Sequence, residues 1–403
     1  MTYDPIFSTH LEFLKTEGRY RIFADLERLA GEAPYALWHG PEGKKKVIVW
    51  CSNDYLGMSQ HPAVIEVMVE ATKQYGVGSG GTRNISGTAH PHVILEQEVA
   101  DLHNKAKGLI FTSGYIANEA TLSALSQALP DCVILSDEKN HASIIQGIQA
   151  GGCEKRIFRH NDVRDLREKL ASLDPKRPKI IAFISVYSMD GDIAPIEAIC
   201  DLASEFNAIT YLDEVHAVGL YGPQGAGVAA QLGLQDRIDV IQANFAKAYG
   251  VIGGYIAGSI PLVDYVRSAA SGFIFTTSLP PAVAAAIHKS ISILRQDTTL
   301  RNQLWSRVRL LKERLKKNTV PYESSASHIV PIIIGNAAQC QAVCDLLRQD
   351  HGIYVQPINY PTVPRGQERL RLTVTPAHTP EMIQHLGDAL EDVWHRLNLC
   401  LAA

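Results

Sequence analysis

Cysteine gives this chain no framework to build on. The seven residues Cys51, Cys132, Cys153, Cys200, Cys340, Cys344 and Cys400 are dispersed, odd in number and form no CxxC pair. That pattern excludes a disulfide scaffold or zinc knuckle and points to a reducing compartment, so a cytoplasmic location is expected. Neither sign of charge predominates: 38 Lys and Arg stand against 42 Asp and Glu, a net charge of −4 with the signs mixed. Nucleic acid is therefore not an expected partner, although a local basic patch for a phosphorylated small molecule stays open. Long hydrophobic runs are missing as well. The longest, Pro281–Leu294, is interrupted by His288 and Lys289, so no membrane span is expected. The opening MTYDPIFSTHLEF follows neither a basic-then-apolar signal pattern nor an Arg/Ser-rich transit pattern. Internal repeats and low-complexity segments are absent.

What remains is the composition of an ordinary globular enzyme, 46% hydrophobic and 20% charged. A chain of 403 residues holds two or three domains. The first fifty residues read as a helix with Leu11, Leu14 and later Phe23, Leu26 and Leu29, then a hairpin-like stretch ending in VIVWCSND. From about Asn53 to Leu294, short β-rich apolar runs alternate with amphipathic helices. The runs are GLIFTS, DCVILSD, KIIAFISVY, AITYLDE, DVIQANF and YIAGS, and PIEAICDLASEF is one of the helices between them. This alternation is the pattern of βαβ units, giving an α/β fold whose mainly parallel sheet is covered on both faces. A long helix, Leu300–Lys317, leads into a second region. There HIVPIIIG, IYVQPI and LRLTVT read as strands around the helix AAQCQAVCDLLRQD. The expected division is an N-terminal arm (1–52), a catalytic domain (53–294) and a smaller α+β domain (295–403).

The chemistry is expected where strands give way to loops, because ligands of open α/β sheets sit beyond the carboxyl ends of the strands. ITYLDEVHAVG places Asp213 and His216 at such a point, and NFAKAYGVIGGY places Lys247 between a strand and a glycine-rich turn. A lysine among small residues, with a carboxylate on a neighbouring strand end, fits a Schiff-base site for pyridoxal phosphate (PLP). The lysine holds the aldehyde while the carboxylate keeps the pyridine nitrogen protonated. Taken singly, Asp-Glu-x-His also fits a strand-end cap, and Lys247 a solvated side chain. FTSGYIAN (111–118) makes a strand, a Ser-Gly turn and a helix start, a cradle of N–H groups for a phosphate or an ordinary β-to-α turn. His141 in SDEKNHAS is placed either to stack on an aromatic ring or merely to begin a helix. GSGGTRNISGTAHPH (78–92) is too glycine-rich for regular structure over most of its length, yet carries Thr82, Arg83, Asn84, Ser86 and Thr88. It reads as a binding loop or a surface turn.

Together, GGTRNISGT, FRHND, SVYSMDGD, LDEVHAVGLYGPQGAGV, GFIFTTSLPP and VQPINYPTVPRGQERLRLT resemble the α-oxoamine synthases, from about Thr16 to the last helix. The resemblance implies a PLP-dependent acyltransferase of the aspartate-aminotransferase-like, fold-type I architecture. It also implies a homodimer with active sites shared between subunits. Lys247 would hold the cofactor covalently, Asp213 would pair with the pyridine nitrogen, His216 would contact the ring hydroxyl, and His141 would stack on the ring. Val215 and Asn244 fall among the cofactor-binding positions. Ser113, Gly114 and Tyr115 would hold the phosphate, with Thr276 and Thr277 reaching in from the other subunit. Arg371 matches the arginine that binds the glycine carboxylate, with Asn53 and Ser188 beside it.

On the acyl side, Arg21, Thr82 and Asn84 resemble the pocket of members that use succinyl-CoA, where a guanidinium grips the free carboxylate. Ser136 and Ile85 would line that pocket, and Lys155 and Arg156 are candidates for the CoA phosphates. The implied reaction is a decarboxylative condensation of glycine with succinyl-CoA. The alternatives are a member with another acyl donor, and a catalytically silent subunit of the same fold, against which the presence of Lys247 argues. One departure stands out. The family usually has threonine three residues before the lysine and glycine or serine directly before it, whereas this chain has Asn244 and Ala246. Weaker or more exchangeable cofactor binding is expected from that change.

Overall fold

The computed structural model describes residues 2–318 and 320–399; Cys400 lies outside them. Two compact units emerge. One comprises residues 56–187 and 192–301, the other residues 2–55, 188–191, 302–318 and 320–399.

The first unit is built on seven strands: β1 (Lys107–Phe111), β2 (Val133–Asp137), β3 (Glu154–Phe158), β4 (Lys179–Ile184), β5 (Ile209–Asp213), β6 (Val240–Asn244) and β7 (Gly254–Gly258). Their order in the sheet is β1-β7-β6-β5-β4-β2-β3. Neighbours run parallel except β7, which is antiparallel to both β1 and β6. Helices Gly114–Ala128, Ala142–Gly151, Val163–Ala171 and Ile196–Glu205 link the successive parallel strands from β1 to β5. Strands β2, β4 and β7 are buried at every position, as near-continuous apolar runs should be when helices cover both faces. Six strands coincide with the runs read from the sequence. The seventh, β3, with sequence EKRIF, went unread because it is an edge strand buried only at Phe158, and edges carry charge to discourage further pairing. Parallel register sets the carboxyl ends of β2, β4, β5 and β6 along one edge, with Asp213 opposite Ile184 and Gln242.

Close packing at that edge requires glycine. Gly254, which opens β7, pairs with Phe111 and Asn244. A Cβ there would lie 2.6 Å from the Cα and N of Gly114 and from the carbonyl oxygen of Ser113.

In the second unit, Leu26–Glu27, Tyr35–Gly40, Gly43–Val49 and Ile353–Tyr354 form a four-stranded sheet, and Ile329–Ile333, Arg369–Thr373 and Pro357–Ile358 a three-stranded one. Helices Thr299–Lys317, Ala337–His351 and Pro380–Arg396 accompany them. The N-terminal helix is shorter than expected, running only over Asp4–Thr16. Gly18 follows at φ +66°, in the left-handed region that ends helices. Leu26 pairs with Trp38 in a sheet, and Phe23 is 87% exposed, so neither continues a helical face. Residues 1–52 were expected as a separate arm. Here they cluster with the C-terminal residues, because Ile353 and Tyr354 pair with Ile48 and Val49.

Gly254→Ala should cost about 1–3 kcal/mol in urea unfolding, the range for overpacking a filled core. Because backbone is what it would strike, it should also weaken cofactor retention. Unchanged unfolding would contradict the close packing described.

Candidate active site

Asp213 ends β5 and is 3% exposed. Burial raises its pKa, but two hydrogen-bond donors and the nearby Lys247 charge resist that rise. Asn118 Nδ2 donates to Oδ2 at 2.9 Å, and the Val215 amide donates to Oδ1 at 2.9 Å. Lys247 supplies the favourable charge. The outcome is a carboxylate held in low dielectric, suited to a ring N–H⁺. His141 is the N-cap of helix Ala142–Gly151. Desolvation lowers its pKa, Asp213 opposes and the Lys247 charge reinforces the fall. His216 is buried in the turn after Asp213. The residue between them, Glu214, was not singled out from the sequence. Its carboxylate accepts the amides of Val228 at 3.2 Å and Ala229 at 2.8 Å, fixing the loop that follows the site.

Lys247 stands half-buried in the loop from β6 to β7. Three backbone bonds close this loop: Phe245 N–H to Gly253 O (3.0 Å), Val251 N–H to Phe245 O (2.9 Å) and Gly250 N–H to Lys247 O (2.9 Å). Ser113 caps helix Gly114–Ala128, its Oγ accepting from the Ile116 amide at 3.1 Å. The amides of Gly114 and Tyr115 precede that bond at the start of the helix, where no intrahelical acceptor exists. Asn244 ends β6 directly beside them: a Cβ on Gly114 would lie 2.9 Å from Asn244 Cβ and 3.2 Å from its Nδ2. Asn244 Oδ1 accepts from the Ala246 amide at 3.3 Å. That orients the amide so that its N–H₂ is the group left to serve the helix start.

The loop expected over 78–92 is irregular as far as Ala89, and helix His90–Leu102 begins after it. Much of its polar equipment is structural. Arg83 grips Glu96 through two bonds of 2.7 and 2.9 Å and reaches Thr88 Oγ1 at 3.0 Å. The Ser278 hydroxyl donates to Gly87 O at 2.7 Å and the Ser278 amide to Gly81 O at 3.0 Å. Thr82 forms a β-bridge with Thr277. A small cavity borders Arg83, His92, Phe273, Thr276 and Thr277, and does not include Asp213, His141 or Lys247. Asn84 and Ile85 project at the tip, Ile85 being 83% exposed.

Other expected residues stand in different surroundings. Ser136, in β2, is buried and accepts from Asn140 Nδ2 at 2.9 Å. Lys155 is exposed on edge strand β3, whereas Arg156 is engaged by Glu154 at 2.7 Å and Ser172 at 2.6 Å. His160, from FRHND, lies between two carboxylates, with Nδ1 2.8 Å from Asp137 and Nε2 2.6 Å from Asp192. Burial lowers its pKa, but both partners outweigh that and hold it at about 9.

Within the second unit, Arg371 is 6% exposed. Its Nε donates to Ser188 O at 2.6 Å, one terminal nitrogen to Asn53 Oδ1 at 3.0 Å and the other to the Tyr55 hydroxyl at 2.8 Å. The two expected neighbours are thus beside it, with Tyr55 added. A guanidinium has five N–H donors, so among the described residues one remains on each terminal nitrogen. That is the fork a carboxylate takes. Arg21 is exposed, with a 3.4 Å contact to Thr362 Oγ1.

An amine, a buried anion, an imidazole and a helix start with its donors directed outward match the aldehyde, ring nitrogen, ring face and phosphate of PLP. The donor set therefore fits that group. Residues 45–390 match the family described as aminotransferase class I and II, and the chain belongs to that family of PLP-dependent enzymes. It is 52% identical over 401 residues to 5-aminolevulinate synthase of Bradyrhizobium diazoefficiens, covering 100% of this chain and 98% of that protein. It is 55% identical over 402 residues to 5-aminolevulinate synthase of Paracoccus denitrificans, covering 99% and 98%. Its fold is shared with a serine palmitoyltransferase variant from S. paucimobilis bearing a PLP–myriocin aldimine, with a TM-score of 0.90 and 32% identity covering 98% of each chain. Within its class, the chain is a member of the 5-aminolevulinate synthase family.

Two predictions follow from this geometry. His160 titrates near 9 in the fold and near 6.5 unfolded. Its contribution is therefore complete below about pH 6.5 and is lost as pH rises through 9. Urea unfolding should show wild type losing up to about 3 kcal/mol more than His160→Gln between pH 6.5 and pH 10. Parallel pH curves would exclude the two ion pairs. Separately, Asn244→Thr should tighten PLP binding, measured by titrating apoprotein; equal affinity in both proteins would show that the asparagine amide serves as well.

Proposed function

We propose that this chain condenses glycine with succinyl-CoA, releasing CoA and CO₂ to give 5-aminolevulinate, a precursor of heme and other tetrapyrroles. The observation that carries it is the buried, doubly hydrogen-bonded Asp213 carboxylate, held under the charge of Lys247 in a member of this family. PLP, when bound, supplies an aldehyde that joins an amine and a protonated ring that takes up the electron pair released at the amino acid's Cα.

The residues do the rest. The Lys247 amine holds the aldehyde between turnovers, then removes a proton from glycine Cα and later returns one. Asp213 keeps the ring nitrogen protonated, His141 stacks on the ring and His216 contacts its hydroxyl. Ser113, Gly114, Tyr115 and Asn244 hold the phosphate, joined by Thr276 and Thr277. Arg371 receives the glycine carboxylate on its two remaining N–H groups, with Asn53 and Ser188 setting its angle. Arg21, Thr82 and Asn84 take the succinyl carboxylate, Ile85 and Ser136 line the pocket, and Lys155 serves the CoA phosphates.

The working form is a homodimer. Val77, Ile85 and Phe275 are each at least 80% exposed, apolar side chains that a partner subunit would cover. No helix among the described residues is long and apolar enough to cross a membrane, and six described cysteines are free thiols, which suits the cytoplasm.

The test is turnover of glycine with succinyl-, acetyl- and octanoyl-CoA, following CoA and CO₂, on protein whose mass is measured by sedimentation. Succinyl-CoA should be strongly preferred, and Arg21→Ala should lose about tenfold or more of that preference, as removal of one charge-assisted pair implies. Equal turnover of octanoyl-CoA by wild type would overturn the donor assignment, and a monomeric active species the dimer.

A further inference from the structure

Asn118 takes no part in the chemistry above, yet its amide is the junction of the site. It lies on helix Gly114–Ala128 and is 2% exposed. One Nδ2 hydrogen goes to Asp213 Oδ2 at 2.9 Å and the other to Ser143 Oγ at 3.0 Å, while Oδ1 accepts from the Tyr211 hydroxyl at 2.8 Å. The orientation is forced, since a flipped amide would set oxygen against a carboxylate oxygen. Ser143 Oγ, having accepted from Asn118, turns its own hydrogen to His141 Nδ1 at 2.7 Å. The Ser143 backbone amide points at the same nitrogen at 3.2 Å. Nδ1 is therefore an acceptor, and the neutral imidazole carries its proton on Nε2. Tyr211 is fully buried, and its hydroxyl holds the Asn118 carbonyl from behind.

We propose that Asn118 is a positioning residue that holds Asp213 and, through Ser143, His141 in one preset arrangement, so that both meet the cofactor ring as a unit. This rests on the reading that PLP is held on Lys247 here. Without the amide, Oδ2 of Asp213 loses its donor and the carboxylate can turn away from the ring nitrogen. Ser143 loses the bond that fixes its hydroxyl, and the imidazole is left with the Ser143 backbone amide as its one fixed donor at Nδ1. A network sharing one junction responds as a whole, not as a sum of its bonds.

The experiment uses PLP-loaded wild type, Asn118→Ala, Ser143→Ala and the double variant. It reads three quantities: PLP affinity, the visible circular dichroism of the bound cofactor, which reports ring orientation, and kcat with KM for glycine. Asn118→Ala should keep PLP on Lys247, lose about tenfold or more in kcat with KM nearly unchanged, and alter the dichroic band. Ser143→Ala should do less. The double variant should be no worse than Asn118→Ala, because the path to His141 is already cut. Wild-type dichroism and kcat in Asn118→Ala, or losses that multiply in the double variant, would overturn the proposal. Should Asn118→Ala not fold, Tyr211→Phe, which loosens the amide from behind, and Ser143→Ala must both change the band; no change in either overturns it. A wild type that forms no borohydride-sensitive visible band fails the PLP reading instead.

Discussion

A negative charge kept alive inside protein is the constraint on which this catalytic unit turns. In the proposed chemistry Asp213 faces a protonated ring as a carboxylate, yet burial pushes its pKa up. The fold resolves the conflict with donors from two directions, the Asn118 side chain and the Val215 amide, and with the cationic Lys247 nearby. Each comes from a different element: a helix, the loop after β5 and the loop after β6. Only a parallel sheet whose strand ends share one edge brings them together.

The same edge explains why glycine recurs where it does. Gly114 and Gly254 let a helix start, a strand start and the Asn244 side chain occupy one small volume. The helix can then present its first amides directly beside the end of β6. The glycine-rich loop before residue 90 shows a different economy. Its charged residue, Arg83, commits three donors to Glu96 and Thr88. Its backbone is tied down by Ser278. Rigidity at the base leaves Asn84 and Ile85 as the projecting features. The loop is a scaffold with a two-residue tip, not a tract of interchangeable donors.

Arg371 obeys a related logic in the other unit. Three of its five donors are consumed by Ser188, Asn53 and Tyr55, which removes rotational freedom and leaves a fork of fixed direction. A buried guanidinium so satisfied pays little further ordering entropy when a carboxylate arrives.

Hydrophobic periodicity was enough to reveal six of the seven sheet strands, the helices between them and the βαβ character, because buried parallel strands must be apolar throughout. Residue type at strand ends likewise singled out Asp213, His141 and Lys247 as candidates. Edge strand β3 escaped, since one-sided burial leaves charged residues along most of it. The N-terminal helix was drawn too long because Leu26 and Leu29 keep a helical spacing, while Gly18 and the pairing with Trp38 decide otherwise. Asn118, Tyr55 and Glu214 were illegible for another reason. Each acts through partners distant in the chain or through backbone amides, and a polar residue within an apolar helix or beside a strand end gives no sign of what it will meet. The sequence by itself determined the local elements and the reactive groups, because those depend on side-chain chemistry and short-range spacing. Tertiary structure alone decided which amide orients which carboxylate and which donors stay open, because hydrogen bonds in a buried site are assigned only when distant segments close around it.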